Sequence, residues 1–362
     1  MSSMYSGSII RFIRWLLYAS LLWFLSACSS LSYYQQAIGG QIELLQKRKP
    51  ISTVVKDPDV DPVTRARLLL LQQARVFAVN DLMLPDNDSY KDYADLGRPY
   101  AMWSVFVTPA YSLQPRQWCY PLLGCVSYRS YFSRVQAQAY ADSMESSGND
   151  VYIAGVPAYS TLGWFDDPVL NTMMHWQDYD LVGTLFHELA HQKFYIKDET
   201  IFNESLAKAI EQEGLRRWMD AQKDASQFKQ YLLESEREKE FIELVLATRK
   251  ELQSLYQSEL PKKEMFKAKM QVFRSMRAAY LQLRQRWGGY DIYDHWMLSG
   301  VNNAKVQSIA TYYNYVPAFM RMLTQQQGNI EKFYLAIDAV MEMTAEERQA
   351  YLLELSDNKI EP

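Results

Sequence analysis

Two histidines four residues apart, with a glutamate directly after the first, stand in the run Leu185-Phe186-His187-Glu188-Leu189-Ala190-His191-Gln192. On a helix, positions i and i+4 project from one face a single turn apart, so both imidazoles can meet one ion. Glu188 would then lie within reach of a water held by that ion. A catalytic zinc needs three protein ligands and an open position for the water. The ion lowers the pKa of the water, the glutamate takes its proton, and the hydroxide attacks a polarised carbonyl. The pattern therefore predicts one Zn2+ per chain on His187 and His191, with Glu188 as general base for hydrolysis of peptide bonds. The chain has four histidines, and two of them are used here.

A third ligand must come from downstream. Asn203-Glu204-Ser205-Leu206-Ala207 follows a short turn around 196–199, and Glu204 would sit near the start of a helix folded back on the first. Asp198, Glu199, Glu211 and Glu213 compete with it. Asp198 and Glu199 fall in the turn, and Glu211 lies two turns beyond Glu204, where it could instead hold a ligating histidine from behind. Glu204 is the favoured ligand. The reaction also needs a stabiliser for the oxyanion. Tyr312 ranks first for that role, ahead of Tyr313, Tyr315 and His295. Arg129 could bind a substrate carboxylate, although an ion pair within the fold is the better reading. A group to hold a free α-amine could be Asp166, Asp167, Glu199 or Glu211, and spacing selects none of them.

These residues need elements to hold them. Apolar periodicity predicts helices within 30–50 and over 62–82, 134–147, 178–195, 200–219 and 224–257. Further helices are expected over 263–286, 302–324, 329–342 and 345–354. Asp178 or Asp180 should cap the helix that carries the histidines. Five prolines between 85 and 121 break the chain into turns and short β-prone pieces, such as 103–107 and 125–132. A strand over 151–154 and another over 158–161 should follow, the second lining a cleft beside the metal. The expected architecture is α+β, mainly helical, with a small sheet at about 100–165 ahead of the zinc-binding helix.

The first 28 residues read as an export signal. Arg11 and Arg14 precede an apolar stretch from Trp15 to Leu25 that is too short to span a bilayer. The ending Leu25-Ser26-Ala27-Cys28 resembles a bacterial lipobox, in which the cysteine becomes the lipidated first residue. That implies a signal peptide over 1–27, a peptidase domain over 28–362 and a membrane anchor at Cys28. By the same resemblance, Ser29 implies the outer membrane of a Gram-negative bacterium, on its periplasmic side. In an oxidising compartment, Cys119 and Cys125 are expected to form a disulfide. Net charge is -4, so nothing suggests a nucleic-acid partner.

The run HELAHQ followed by FNES resembles the glutamate-zincin peptidases, in which an Asn-Glu pair on the second helix supplies the third ligand. Longer stretches are similar to a narrower group, the predicted aminopeptidases of Gram-negative bacteria. The similarity rests on Gly40-Gln41, Leu84-Pro85-Asp86-Asn87, Ser89-Tyr90, Trp118-Cys119, Gly124-Cys125-Val126-Ser127-Tyr128-Arg129, 158–165, Asp167-Pro168, Asn302-Asn303-Ala304 and Val316-Pro317-Ala318-Phe319. The resemblance implies a zincin-like fold, peptide substrates and action at a free N-terminus. The chain departs from the pattern at Lys193, where an apolar residue is usual, and in the short spacing between His191 and Glu204. Two other readings remain: a lipoprotein scaffold whose zinc ties two helices together, and a zinc endopeptidase or amidase acting on envelope peptides.

Overall fold

The computed structural model describes residues 32–120, 124–158, 161, 165–223 and 225–357. The expected signal segment 1–27 and Cys28 lie outside the described residues. A helix α1 (32–46) leads into strand β1 (Arg48–Pro50) and the short helix α2 (Ile51–Val54). Helix α3 (Pro62–Asn80) begins at a side-chain cap. The Asp61 carboxylate accepts from the backbone N–H groups of Val63 and Thr64 at 3.0 and 2.9 Å, and Pro62 sits where no N–H donor is needed.

Three small sheets follow. β1 pairs antiparallel with β2 (Asp92–Ala94), which pairs parallel with β8 (Val169–Leu170). The central sheet has the order β6-β3-β7, all antiparallel, with β3 (Met102–Pro109) between β6 (Arg129–Tyr131) and β7 (Asn149–Val156). Its register runs from Met102 opposite Val156 to Pro109 opposite Asn149. Side chains alternate across it. Trp103, Val105 and Val107 pack with Ala137 and Ala141 of α4 (Arg134–Ser146), while Phe106 on the other face meets Tyr128 and Tyr152. β4 (Trp118–Tyr120) and β5 (Gly124–Val126) form a separate hairpin.

From residue 178 the chain is helical: α5 (Asp178–Lys193), α6 (Thr200–Gln222), α7 (Ala225–Tyr256), α8 (Lys262–Arg286), α9 (Asp294–Leu298), α10 (Asn303–Tyr313), α11 (Val316–Gln325), α12 (Ile330–Met341) and α13 (Ala345–Asp357). The architecture is α+β. One apolar core joins α3, α5, α6 and α11 to α13, and a second joins α7 to α10. Helices α5 and α6 pack closely because Gly214 leaves room. A Cβ there would stand 2.7 Å from Leu82 Cδ1 and 2.9 Å from Phe186 Cδ2. No helix among the described residues is long and apolar enough to cross a membrane.

Several expectations need correction. The N-cap of α5 is Gln177 without a side-chain bond, and Asp178 and Asp180 lie in the first turn, where their charge favours the helix dipole. The helix expected over 302–324 is two, because Pro317 has no N–H to give the Tyr313 carbonyl and the chain turns at 314–315. Residues 125–132 make two short strands, not one, parted at Ser127-Tyr128. The strand expected over 158–161 is not present at its described ends: Ala158 and Thr161 are irregular, and β7 stops at Val156. Tyr159 and Ser160 lie outside the described residues. Strands β1, β2 and β8 lie beyond the predicted sheet region, since two or three residues carry no readable alternation.

Helix α10 is stitched to the sheet at its start. Asn302 caps it by accepting from Lys305 N at 2.9 Å, and its amide donates to Val151 O at 2.8 Å. The Asn303 amide, fully buried, is shared among Pro109 O, Ala110 O and Ser112 O at 3.1 Å each, and Tyr256 donates its hydroxyl to Asn303 Oδ1 at 2.7 Å. Replacing Asn303 by Ala strands these groups, so Asn303→Ala is expected to lower stability by roughly 2–3 kcal/mol. Urea unfolding of the two proteins measures this, and an unchanged midpoint would contradict it.

Candidate functional site

Helix α5 presents His187 and His191 one turn apart, both buried, with their Nε2 atoms 3.1 Å from each other. After α5 the chain reverses through residues 194–199 and enters α6. Asn203 fixes that reversal. Its Oδ1 accepts from Ile196 N and its Nδ2 donates to Ile196 O, both at 2.8 Å. The next residue is Glu204, whose Oε2 stands 3.4 Å from Nε2 of each histidine. The three side chains offer ligand atoms within 4.8 Å of one another, all buried.

The turn is also held from outside. Asp198 has a positive φ of 70°, and its carboxylate accepts from Cys125 N in the β4–β5 hairpin. Gly124 is required there: its φ is +81°, and a Cβ would overlap Lys197 and Asp198. Cys119 and Cys125 face each other across the hairpin and are joined by a disulfide. Three residues after Cys125, the Tyr128 hydroxyl donates to Glu204 Oε1 at 3.3 Å. Glu204 is thus divided, one oxygen toward the histidines and one toward Tyr128.

The opposite end of His187 is also occupied. Its Nδ1 lies 3.2 Å from Glu211 Oε2, so a neutral imidazole carries its proton on Nδ1 and turns the Nε2 lone pair to the centre. His191 Nδ1 has no hydrogen-bond partner among the described residues. Glu211 is therefore the carboxylate that orients one ring of the pair.

Two imidazole lone pairs and a carboxylate oxygen facing one another repel unless a positive charge lies among them. The electrostatics express the same demand. Burial works against an imidazolium at His187, yet hydrogen bonds to Glu204 and Glu211 push its pKa up to about 10. Burial likewise disfavours the Glu204 carboxylate, but His191 and His187 hold it far below the usual range. A proton or a divalent cation supplies the charge, and the donor set of two neutral imidazoles and one carboxylate suits a cation.

Glu188 is buried beside this group. Burial raises its pKa, His187 and His191 act against that rise, and the charges of Glu204 and Glu211 add to it. The Tyr312 ring lies 6.3 Å from that of His187, and its phenol interacts with Glu204 and Glu188. Tyr128 interacts with the same two carboxylates. Burial, then those charges, keep both phenols protonated and able to donate. Tyr128 was not singled out from the sequence. Its signal was its place in the run 124–129, which matched by resemblance without revealing a role.

The remaining sequence candidates go elsewhere. Tyr313 donates to Glu238 at 2.6 Å, Tyr315 is packed in the core, and His295 is exposed on α9. Arg129 corrects the expected ion pair: its guanidinium lies over Tyr33 at 4.1 Å and Tyr140 at 4.8 Å. Glu199 pairs with Arg348 at 3.1 Å, and Glu213 with Arg216 and Arg217 at 2.8 and 2.7 Å. Asp167 is buried and accepts from Thr161 N at 2.8 Å, while Asp166 is exposed. Lys193, the departure from the apolar pattern, extends its ammonium over Tyr334 at 5.0 Å and Phe194 at 5.7 Å. The charge thus rests on aromatic faces. Gln192, in the last turn of α5, accepts from Asn87 Nδ2 at 2.6 Å and donates to Ser89 Oγ at 3.1 Å.

Asn203→Ala removes both bonds that close the turn. It is expected to cost roughly 2–3 kcal/mol in unfolding free energy. Denaturant unfolding of metal-free protein checks this, and full stability would mean that the turn holds without its clamp.

A family model described as "Putative aminopeptidase" matches residues 32–352 of the chain. No curated protein and no solved structure matches it.

Proposed function

The chain belongs to this aminopeptidase family, and we propose that it is a zinc-dependent peptidase that removes residues from the N-terminus of peptides. The observation that carries the reading is the buried convergence of His187, His191 and Glu204 beside Glu188. Two histidines and one carboxylate are a donor set that leaves zinc a fourth position. When bound there, Zn2+ would polarise the scissile carbonyl and lower the pKa of water.

The protein's own groups would do the rest. Glu188 accepts the proton of the attacking water on its carboxylate and returns it to the leaving amine. Its burial raises its pKa toward the range where both transfers are possible. Tyr312 keeps a protonated phenol near Glu188 and Glu204 as the donor to the oxygen that becomes negative, while Tyr128 holds Glu204 through its own hydrogen bond. Glu211 holds His187 so that its Nε2 lone pair stays aimed at the centre. The small sheet, the paired helices α5 and α6 and the downstream ligand are compatible with a zincin-like fold. Lipidation at Cys28 would anchor the domain 28–362 to the cell envelope, facing periplasmic peptides.

Metal analysis of purified protein should find about one zinc per chain. Glu188→Gln should keep that metal and lower peptide hydrolysis by a factor of roughly 10²–10⁴ or more. Protein that takes up no zinc, or a Glu188→Gln variant with full activity, would refute the mechanism. With a mixed peptide pool, stepwise loss of N-terminal residues supports the aminopeptidase reading. Internal cuts would make the protein an endopeptidase.

A further inference from the structure

At the Nδ1 end of His187, a partly buried lysine sits among carboxylates and has no part in the proposed reaction. Lys208 and Glu211 lie one turn apart on α6, with Lys208 Nζ 2.7 Å from Glu211 Oε1. Glu211 Oε2 faces His187 Nδ1 at 3.2 Å. Both oxygens of Glu211 are therefore occupied, one by the lysine and one by the histidine, and the carboxylate cannot rotate without losing a partner. Lys208 is held in turn. Glu238 of α7 stands 3.6 Å from its Nζ, and the Tyr313 ring of α10 lies 5.4 Å away while its hydroxyl donates to Glu238 at 2.6 Å. Asp180 and Glu234 add further negative charge to this region. Without Lys208, the Glu211 carboxylate would face those charges with one oxygen unpaired.

We infer that Lys208 is a positioning residue for the metal centre, acting through Glu211 to fix the tautomer and orientation of His187. The inference rests on the metal reading above. It assigns α7 and α10 a part in metal binding, because Glu238 and Tyr313 set the place of the lysine. The centre would then be held from two helices beyond the two that carry its ligands: neither contributes a ligand, and the effect of both travels through a single ammonium group.

The test is a competition titration of Zn2+ between the protein and a chromophoric chelator, run on the full chain. Lys208→Met should bind Zn2+ about ten- to a hundredfold more weakly, the size of effect usual when a partner behind a ligand is lost. Lys208→Arg should restore most of the affinity, because it keeps the charge and the hydrogen bond. The double variant Lys208→Met with Glu211→Gln should bind no more weakly than Glu211→Gln alone, since the lysine acts through that carboxylate. If Lys208→Met fails to fold, Lys208→Met with Glu238→Gln removes the stranded second carboxylate and should show the same loss. Wild-type affinity in folded Lys208→Met, or in its combination with Glu238→Gln, overturns the inference, as do losses that simply add when Lys208→Met is combined with Glu211→Gln. A wild-type protein that binds no Zn2+ would instead sink the metal reading itself.

Discussion

Three electron-rich atoms, one carboxylate oxygen and two imidazole nitrogens, are buried against each other between α5 and α6. Left alone, such a group is unfavourable, because each lone pair repels the others and burial weakens hydration. Much of the surrounding architecture is arranged around this constraint. A positive charge at the centre relieves it, and Glu211 and Tyr128 engage His187 and Glu204 from behind.

The two helices meet closely because Gly214 has no side chain to hold them apart, and the reversal between them is short because Asn203 closes it. That explains how Glu204 reaches both histidines across so few residues. The reversal is then braced by the disulfide-linked hairpin through Asp198 and Cys125. The same hairpin leads into Tyr128, which takes the outer oxygen of Glu204. Structural support and site chemistry thus come from one stretch of chain.

On the other side, α10 brings Tyr312 to the site and Tyr313 to the charged cluster behind it. The direction of α10 is set by Asn302 and Asn303 at its first turn, bonded to the ends of β3 and β7. A residue nine positions before the tyrosine therefore fixes where the tyrosine lands. Charges away from the centre are disposed of differently. Arg129 and Lys193 rest on aromatic faces, and neither competes for the carboxylates of the site.

Local regularities were legible in the sequence. The long helices α3, α5, α6, α7 and α8 follow from apolar spacing, as does the pairing of His187 and His191 on one face, because helical geometry alone decides it. Glu204 could be preferred by its place after a short turn, yet four other carboxylates remained open, and only packing showed Glu211 behind His187 and Glu199, Asp198 and Glu213 engaged elsewhere. Short strands and the break before Pro317 were missed or blurred, since two or three residues leave no period to read. Tyr128 lies 76 residues from Glu204 in the chain, and Lys208 reaches Glu238 on another helix. Contacts of that kind are set by how elements pack, not by spacing along one of them. The sequence by itself determined which helix faces could carry the chemistry, and the tertiary structure alone decided which side chains close around them.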